Sequence, residues 1–245
     1  MLLTIDIGNS FVKCAVFEEN RIIEKFIFEN KDTPIHFEKI LKKYKKIING
    51  IISSVGKLNE ASILQLKQRI NIVEISSEST FPFLNNYATP KTLGIDRMVL
   101  VSGAVLKFPY QNLLIIDAGT CITYDFVDSK NMYHGGAISP GITLRYKSLN
   151  DYTAKLPLLD YKDTCELIGN STESSIYSGV INGVIQEIDG IITQYKNTYK
   201  DLTIILTGGD SDFLAKSIKN TIFANSNFLL ESLNELFIYA KNQND

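Results

Sequence analysis

A short apolar strand that ends in Asp-x-Gly plus a polar residue, and is followed at once by a second strand, occurs twice in this chain. Near the N-terminus, Leu2-Leu3-Thr4-Ile5 runs into Asp6-Ile7-Gly8-Asn9-Ser10 and then the β-rich stretch Phe11 to Phe17. In the middle, Leu113-Leu114-Ile115-Ile116 runs into Asp117-Ala118-Gly119-Thr120 and then Ile122 to Val127. Apolar runs rich in β-branched and aromatic residues and closed by glycine turns read as strands. Their repetition predicts two halves of one design, which brings two carboxylates and two glycine turns to a shared cleft. Such a cleft suits a nucleoside triphosphate and its metal ion.

The surrounding pattern supports the repeat. In the first half, Glu18 to Arg21 is a polar turn before a strand from Ile22 to Phe28. Phe37, Ile40, Leu41, Tyr44, Ile47 and Ile48 then recur at helical spacing, with Lys42, Lys43, Lys45 and Lys46 on the solvated side. A strand over Ile51–Gly56, a helix from Asn59 to Arg69 and a strand over Ile72–Ile75 complete a βββαβαβ order. The second half repeats it. A third strand ends in Gly135-Gly136-Ala137-Ile138, and helical stretches span Ile142–Leu156 and Ser175–Thr198. A strand over Leu202–Leu206, a short helix, a strand over Thr221–Ala224 and a last helix over Leu230–Lys241 follow. The expectation is an α/β fold of two βββαβαβ halves, residues 1–112 and 113–245, around a nucleotide cleft.

Composition narrows the function classes. At 44% hydrophobic and 21% charged, the 245-residue chain is ordinary for a soluble globular protein. A net charge of -2 gives no electrostatic case for nucleic acid or an anionic membrane as partner. No apolar run approaches the roughly 20 residues that span a bilayer. Cys14, Cys121 and Cys165 show no zinc spacing and read as buried thiols of a reducing compartment. The first residues enter a strand without the features of a signal peptide. A cytoplasmic protein is expected.

The first motif carries the elements of a phosphate site. Gly8 permits a tight turn and close backbone approach, Asn9 and Ser10 add donors, and Lys13 is a positive partner for phosphate oxygens. Asp6, at the end of its strand, can hold a magnesium ion, directly or through water. GxxxxGK[ST] is absent, and a strand rather than a helix follows the glycine turn, so neither the Walker loop nor the Rossmann fingerprint applies. Alone, this stretch reads first as a hairpin with a polar turn. The second copy and the further turn Thr207-Gly208-Gly209-Asp210, which also closes an apolar strand, tip the reading toward a nucleotide. Asp96-Arg97, read alone, is a helix start with a local ion pair or a catalytic carboxylate beside a phosphate-binding fork.

These elements resemble the phosphate and adenosine motifs of the acetate kinase, sugar kinase and actin superfamily, and so imply a duplicated ribonuclease H-like, actin-like ATPase fold. Within it, the chain resembles type III pantothenate kinases from end to end. The likeness runs through Asp6-Ile7-Gly8-Asn9-Ser10 with Lys13, Gly94-Ile95-Asp96-Arg97, Asp117-Ala118-Gly119-Thr120 and Gly135 to Gly141. It continues through Thr153-Ala154-Lys155-Leu156-Pro157, Gly169-Asn170-Ser171-Thr172 with Gly179, and Leu206 to Asp210. One departure is Ser232, where the pattern often has glycine before leucine.

The resemblance implies phosphorylation of the terminal hydroxyl of pantothenate by ATP with Mg2+, the first step toward coenzyme A. It casts Asp96 as the base, and Tyr87, Gly94, Ile95, Asp96, Arg97 and Thr172 as pantothenate contacts. Asp6, Ile7, Gly8, Asn9, Ser10, Phe11, Val12, Lys13 and Thr120 become ATP contacts. Asp117 becomes the ligand of an activating monovalent cation, potassium or ammonium. It also implies a homodimer, with the substrate pocket completed near the subunit interface. Two rival classes stand beside it: another small-molecule kinase or phosphatase on the same scaffold, and a non-catalytic nucleotide-binding regulator, since the family has also been called Bvg accessory factor. A substrate panel separates the first rival from a pantothenate kinase. A regulator has no need of a base facing the phosphate.

Overall fold

The computed structural model describes residues 1–8, 11–54, 60–162 and 166–243. Asn9, Ser10, Cys165 and the expected Val55-Gly56 turn therefore lie outside the described residues. The chain forms two compact units, Met1–Pro109 together with the segment from Asn227 on, and Tyr110–Ser226. The expected second half, 113–245, differs from the second unit chiefly by the last helix, which packs in the first.

The first unit contains β1 (Leu2–Ile7), β2 (Phe11–Glu18), β3 (Arg21–Glu29), α1 (Thr33–Lys43), β4 (Asn49–Ser54), α2 (Glu60–Lys67), β5 (Asn71–Glu74), the two-residue β6 (Leu84–Asn85) and α3 (Ile95–Lys107). The second contains β7 (Asn112–Ala118), β8 (Cys121–Val127), β9 (Met132–Pro140), α4 (Ile142–Asp151), α5 (Thr172–Tyr177), α6 (Gly183–Thr198), β10 (Leu202–Thr207), α7 (Ser211–Ser217) and β11 (Phe223–Ala224). The chain closes with α8 (Phe228–Asn242), in the first unit. Strands β1 to β5 are ordered β3-β2-β1-β4-β5, and β7 to β11 are ordered β9-β8-β7-β10-β11. The predicted repeat is thus a repeat of topology. In both units the first strand is central, antiparallel to the second and parallel to the fourth.

Strand alternation decides which side chains meet the site. Every residue of β1 is buried, because helices cover both faces of the first sheet. Leu3, Ile5 and Ile7 pack with Val12 and Cys14 of β2 against Phe37, Ile40 and Leu41 of α1. Leu2, with Ala15, Phe17 and Ile51, faces Val99 of α3 and Leu230, Leu233 and Leu236 of α8. With a side-chain period of two, Thr4 and Asp6 share the face of Leu2. Asp6 is thereby aimed at the side of the sheet on which α3 begins. In the second unit, Leu114, Ile116 and Ala118 of β7 pack against α4, α6 and α7, so Asp117 points to the other face.

Some boundaries depart from the periodicity. Helix α1 stops at Lys43, because Tyr44 leaves helical geometry at φ -113° and ψ 72°; Ile47 is still buried, beyond the helix. Helix α4 ends at Asp151 rather than Leu156. Thr153 Oγ1 donates to Leu149 O at 2.6 Å and Asn150 Nδ2 to Leu156 O at 2.7 Å, folding the chain back over its last turn. The long helix expected from Ser175 begins at Thr172 and is interrupted by a π-helical turn over Ser178–Asn182. Cys14 is buried as expected, but Cys121 is exposed, since it follows the Gly119-Thr120 turn directly. Lys42, Lys43, Lys45 and Lys46 are exposed.

Candidate active site

In the first unit the site grows from the tip of β1. Asp6 lies between Lys13 of β2 and Ser53 of β4 in the sheet register, and its Oδ1 accepts a hydrogen bond from Ser53 Oγ at 3.0 Å. Directly after β1, the Gly8 N–H donates to Phe11 O at 3.0 Å, which closes the turn. Ile7 and Val12 are wholly buried; any contact they make with a nucleotide is through the backbone. Phe11 is half exposed.

Helix α3 brings the second carboxylate. Its N-cap is Gly94, and a Cβ there would collide with Asp96 Oδ1, so glycine makes room for that carboxylate. Asp96 Oδ1 accepts from the Arg97 N–H at 2.9 Å. Arg97 is buried, with its guanidinium 5.8 Å from the centroid of the Tyr87 ring. Asp96 is near enough to Asp6 to act on its titration. Burial pushes the Asp6 carboxyl up from 3.8 to about 6, the Ser53 hydrogen bond and Lys13 oppose this, and the Asp96 charge adds to it. The first unit thus gathers Asp6, Lys13, Asp96, Arg97 and Tyr87. Two carboxylates beside one lysine and one arginine can hold a hard cation and a polyphosphate and accept a proton.

In the second unit three turns are laced together at the end of β7. The Gly119 N–H donates to Cys121 O, the Gly141 N–H to Thr120 O and the Asp210 N–H to Ala118 O, each at 3.0 Å. Gly208 adopts φ +98°, and a Cβ on it would run into Ala118 O and Asp117 Oδ1; only glycine fits. Asp117 lies in register between Thr123 of β8 and Thr207 of β10. Thr123 Oγ1 is buried with no hydrogen-bond partner among the described residues. Thr172 opens α5, capped by Ser171, and lines a cavity of about 890 Å³ within this unit, together with Arg145, Asn170 and Gly179. Asp117 and Thr120 therefore share one strand tip, while Thr172 belongs to the cavity.

Sequence reasoning missed Ser53, Thr123, Arg145 and Glu187. Ser53 had a visible signal, a polar residue closing the apolar run Ile51-Ile52. The others belong to no local pattern.

A family model of type III pantothenate kinases matches residues 2–194. The chain belongs to the type III pantothenate kinase family. Members named type III pantothenate kinase from Flavobacterium psychrophilum and Flavobacterium johnsoniae are 56% and 53% identical, each over 98% of this chain and 100% and 98% of the relative. Among solved structures, a chain described as a Baf family transcriptional activator from Campylobacter jejuni superposes with a TM-score of 0.62 at 22% identity, covering 98% of this chain and 99% of that one. That likeness speaks to the fold alone. The fold is the duplicated ribonuclease H-like one the sequence resemblance implied, and membership of a kinase family implies ATP with a divalent metal.

Proposed function

We propose that this chain transfers the γ-phosphoryl group of ATP to the terminal hydroxyl of pantothenate, the first step toward coenzyme A. The observation that carries this reading is the placement of Asp6 at the tip of β1, on the face of the first sheet that packs against α3, and of Asp96 in the first turn of that helix. Asp96, at the start of α3, takes the proton of the attacking hydroxyl. Arg97, beside it, binds the acceptor or the transferring group through its planar fork. Lys13 and the Gly8 turn hold phosphate oxygens, and Asn9, Ser10 and Thr120 complete the nucleotide contacts. Gly94, Ile95, Tyr87 and Thr172 bind the acceptor.

Asp6 fits a magnesium site of the kind that phosphates and water largely complete. Mg2+ supplies charge neutralisation on the transferring phosphates. Asp117 is the ligand of a monovalent cation, potassium or ammonium. The unsatisfied Thr123 hydroxyl in register with it supports this assignment, since such a cation takes oxygen donors. Exposed Tyr152, Leu158, Leu167 and Ile168 on the second unit support a homodimer that covers them. Among the described residues no helix is long and apolar enough to cross a membrane, and ATP as donor suits a cytoplasmic enzyme.

The test is pantothenate-dependent ADP release by the wild type and Asp96→Asn, in potassium and again in sodium buffer. Asp96→Asn is expected to bind ATP and to lose about 100- to 10,000-fold in turnover, and sodium is expected to support little activity. Full turnover by the variant removes Asp96 from the base role. Cation-indifferent turnover removes the cation from Asp117.

A further inference from the structure

The cavity bearing Thr172 has an electrostatic asymmetry that none of the motifs explains. Leu149, Leu156, Ile176 and Val180 give it an apolar lining, to which serine, threonine and asparagine side chains add neutral polar groups. Among the described residues that line it, Arg145 is the only charged one. A single cation in otherwise neutral walls selects a ligand with one negative group on an extended, partly apolar body.

Arg145 is held as a rigid fork. Its Nε donates to Pro140 O at the end of β9 at 2.8 Å, and its Nη2 donates to Glu187 Oε2 on α6. The other oxygen of Glu187 is already taken. Its Oε1 accepts from Ser139 Oγ at 2.6 Å and from Tyr124 OH at 3.0 Å. Burial raises the Glu187 carboxyl, but the bonds from Ser139, Arg145 and Tyr124 outweigh it and hold the group below the usual range. It therefore stays ionised and braces the guanidinium. A guanidinium has five N–H donors, and these two bonds leave others for the cavity. The Arg145 side chain keeps 22% of its surface accessible. A fork fixed in advance loses less freedom on binding a carboxylate than a loose one.

We propose that Arg145, braced by Glu187, is the residue that reads the carboxylate of the acceptor and so discriminates the acid from neutral analogues. This rests on the kinase reading given above. Glu187 acts through Arg145 and is a positioning residue.

The test compares kcat/KM for pantothenate with that for pantothenyl alcohol, which replaces the carboxylate by a hydroxyl, in wild type, Arg145→Met and Arg145→Lys. Calorimetric titration of pantothenate is run alongside. The wild type is expected to prefer the acid, and Arg145→Met to reduce the acid-to-alcohol ratio about 10- to 100-fold, the worth of a hydrogen bond to a charged group. Arg145→Lys restores part of the preference, since it returns the charge without the fork. An unchanged ratio in Arg145→Met, or an equal fall on both acceptors such as a mere strut would give, overturns the proposal. If the wild type turns over neither acceptor, the kinase reading fails by itself. Titration then decides about Arg145: binding of pantothenate lost in Arg145→Met upholds it, and binding unchanged or absent in the wild type overturns it.

Discussion

At the scale of single residues, the most consequential is Asp6, a buried carboxyl whose pKa rises to about 6. Its folded-state pKa lies above its unfolded value, so its contribution to stability is fully present below about pH 4. That contribution is lost as the pH rises through about 6. A shift of about two units corresponds to roughly 3 kcal/mol. In the absence of nucleotide and Mg2+, thermal unfolding of the wild type should therefore fall behind that of Asp6→Asn between pH 4 and 7. Parallel melting profiles would refute the burial argument. A bound metal nucleotide offsets this cost by pairing the charge, so Mg-ATP should raise the melting temperature of the wild type more than that of Asp6→Asn at pH 7.5. Asp6 stood out in the sequence because a carboxylate at a strand tip before glycine is a local pattern, whereas the role given to Asp96 came only with the family resemblance, since a carboxylate at a helix start reads first as a cap. Ser53 and the Arg145–Glu187 pair were not, because register and packing join residues 47 and 42 positions apart.

At the scale of elements, α3 and α8 cross at a contact that explains the one departure from the family pattern. Ser232 of α8 is buried, and its Oγ donates to Phe228 O at 2.6 Å. Opposite it on α3 stands Gly103, where an added Cβ would overlap Ser232 Cβ and Oγ. The glycine that the pattern often places on α8 is replaced here by a serine, and a glycine on the facing helix accommodates it. Gly103→Ala should destabilise the protein by about 1–3 kcal/mol through overpacking. In Ser232→Gly the same change should be nearly neutral or slightly stabilising, because alanine is the better helix former. A double-mutant cycle by urea unfolding measures the coupling; additive effects would mean that the helices simply move apart. The helices themselves were readable from apolar spacing. The π-helical turn over Ser178–Asn182 was not, since one extra residue in a turn leaves no mark on a 3.6-residue period. Ser178 Oγ spends its bond on Leu167 O at 2.6 Å, a contact visible only once the chain has folded.

At the scale of the whole molecule, the repeated βββαβαβ order predicted two halves of one design, and strands β1 to β5 and β7 to β11 do share one arrangement. What the repeat does not encode is where α8 goes. Leu230, Leu233 and Leu236 announce an amphipathic helix, yet their spacing fits any apolar face. The face they cover is made by Leu2, Ala15, Phe17 and Ile51, from three strands of the first sheet. It is the face that carries Asp6, so the last helix of the chain closes the layer on which the first carboxylate depends. Each such leucine is worth ~1.5–3 kcal/mol when buried, and together with Phe228 they approach the ~5–15 kcal/mol that holds a typical domain. A chain ending at Ser226 should therefore lose hydrogen-exchange protection throughout β1 and β4. Amides of β7 and β10, whose core in the second unit contains no residue of α8, should stay protected. Mg-ATP binding should vanish with β1, because Asp6, Lys13 and Ser53 are aligned only by that sheet. Protection of β1 at the wild-type level in the shortened chain would show that α8 merely lies on a face that is stable without it. Loss of protection in both sheets at once would show that the two units unfold as one.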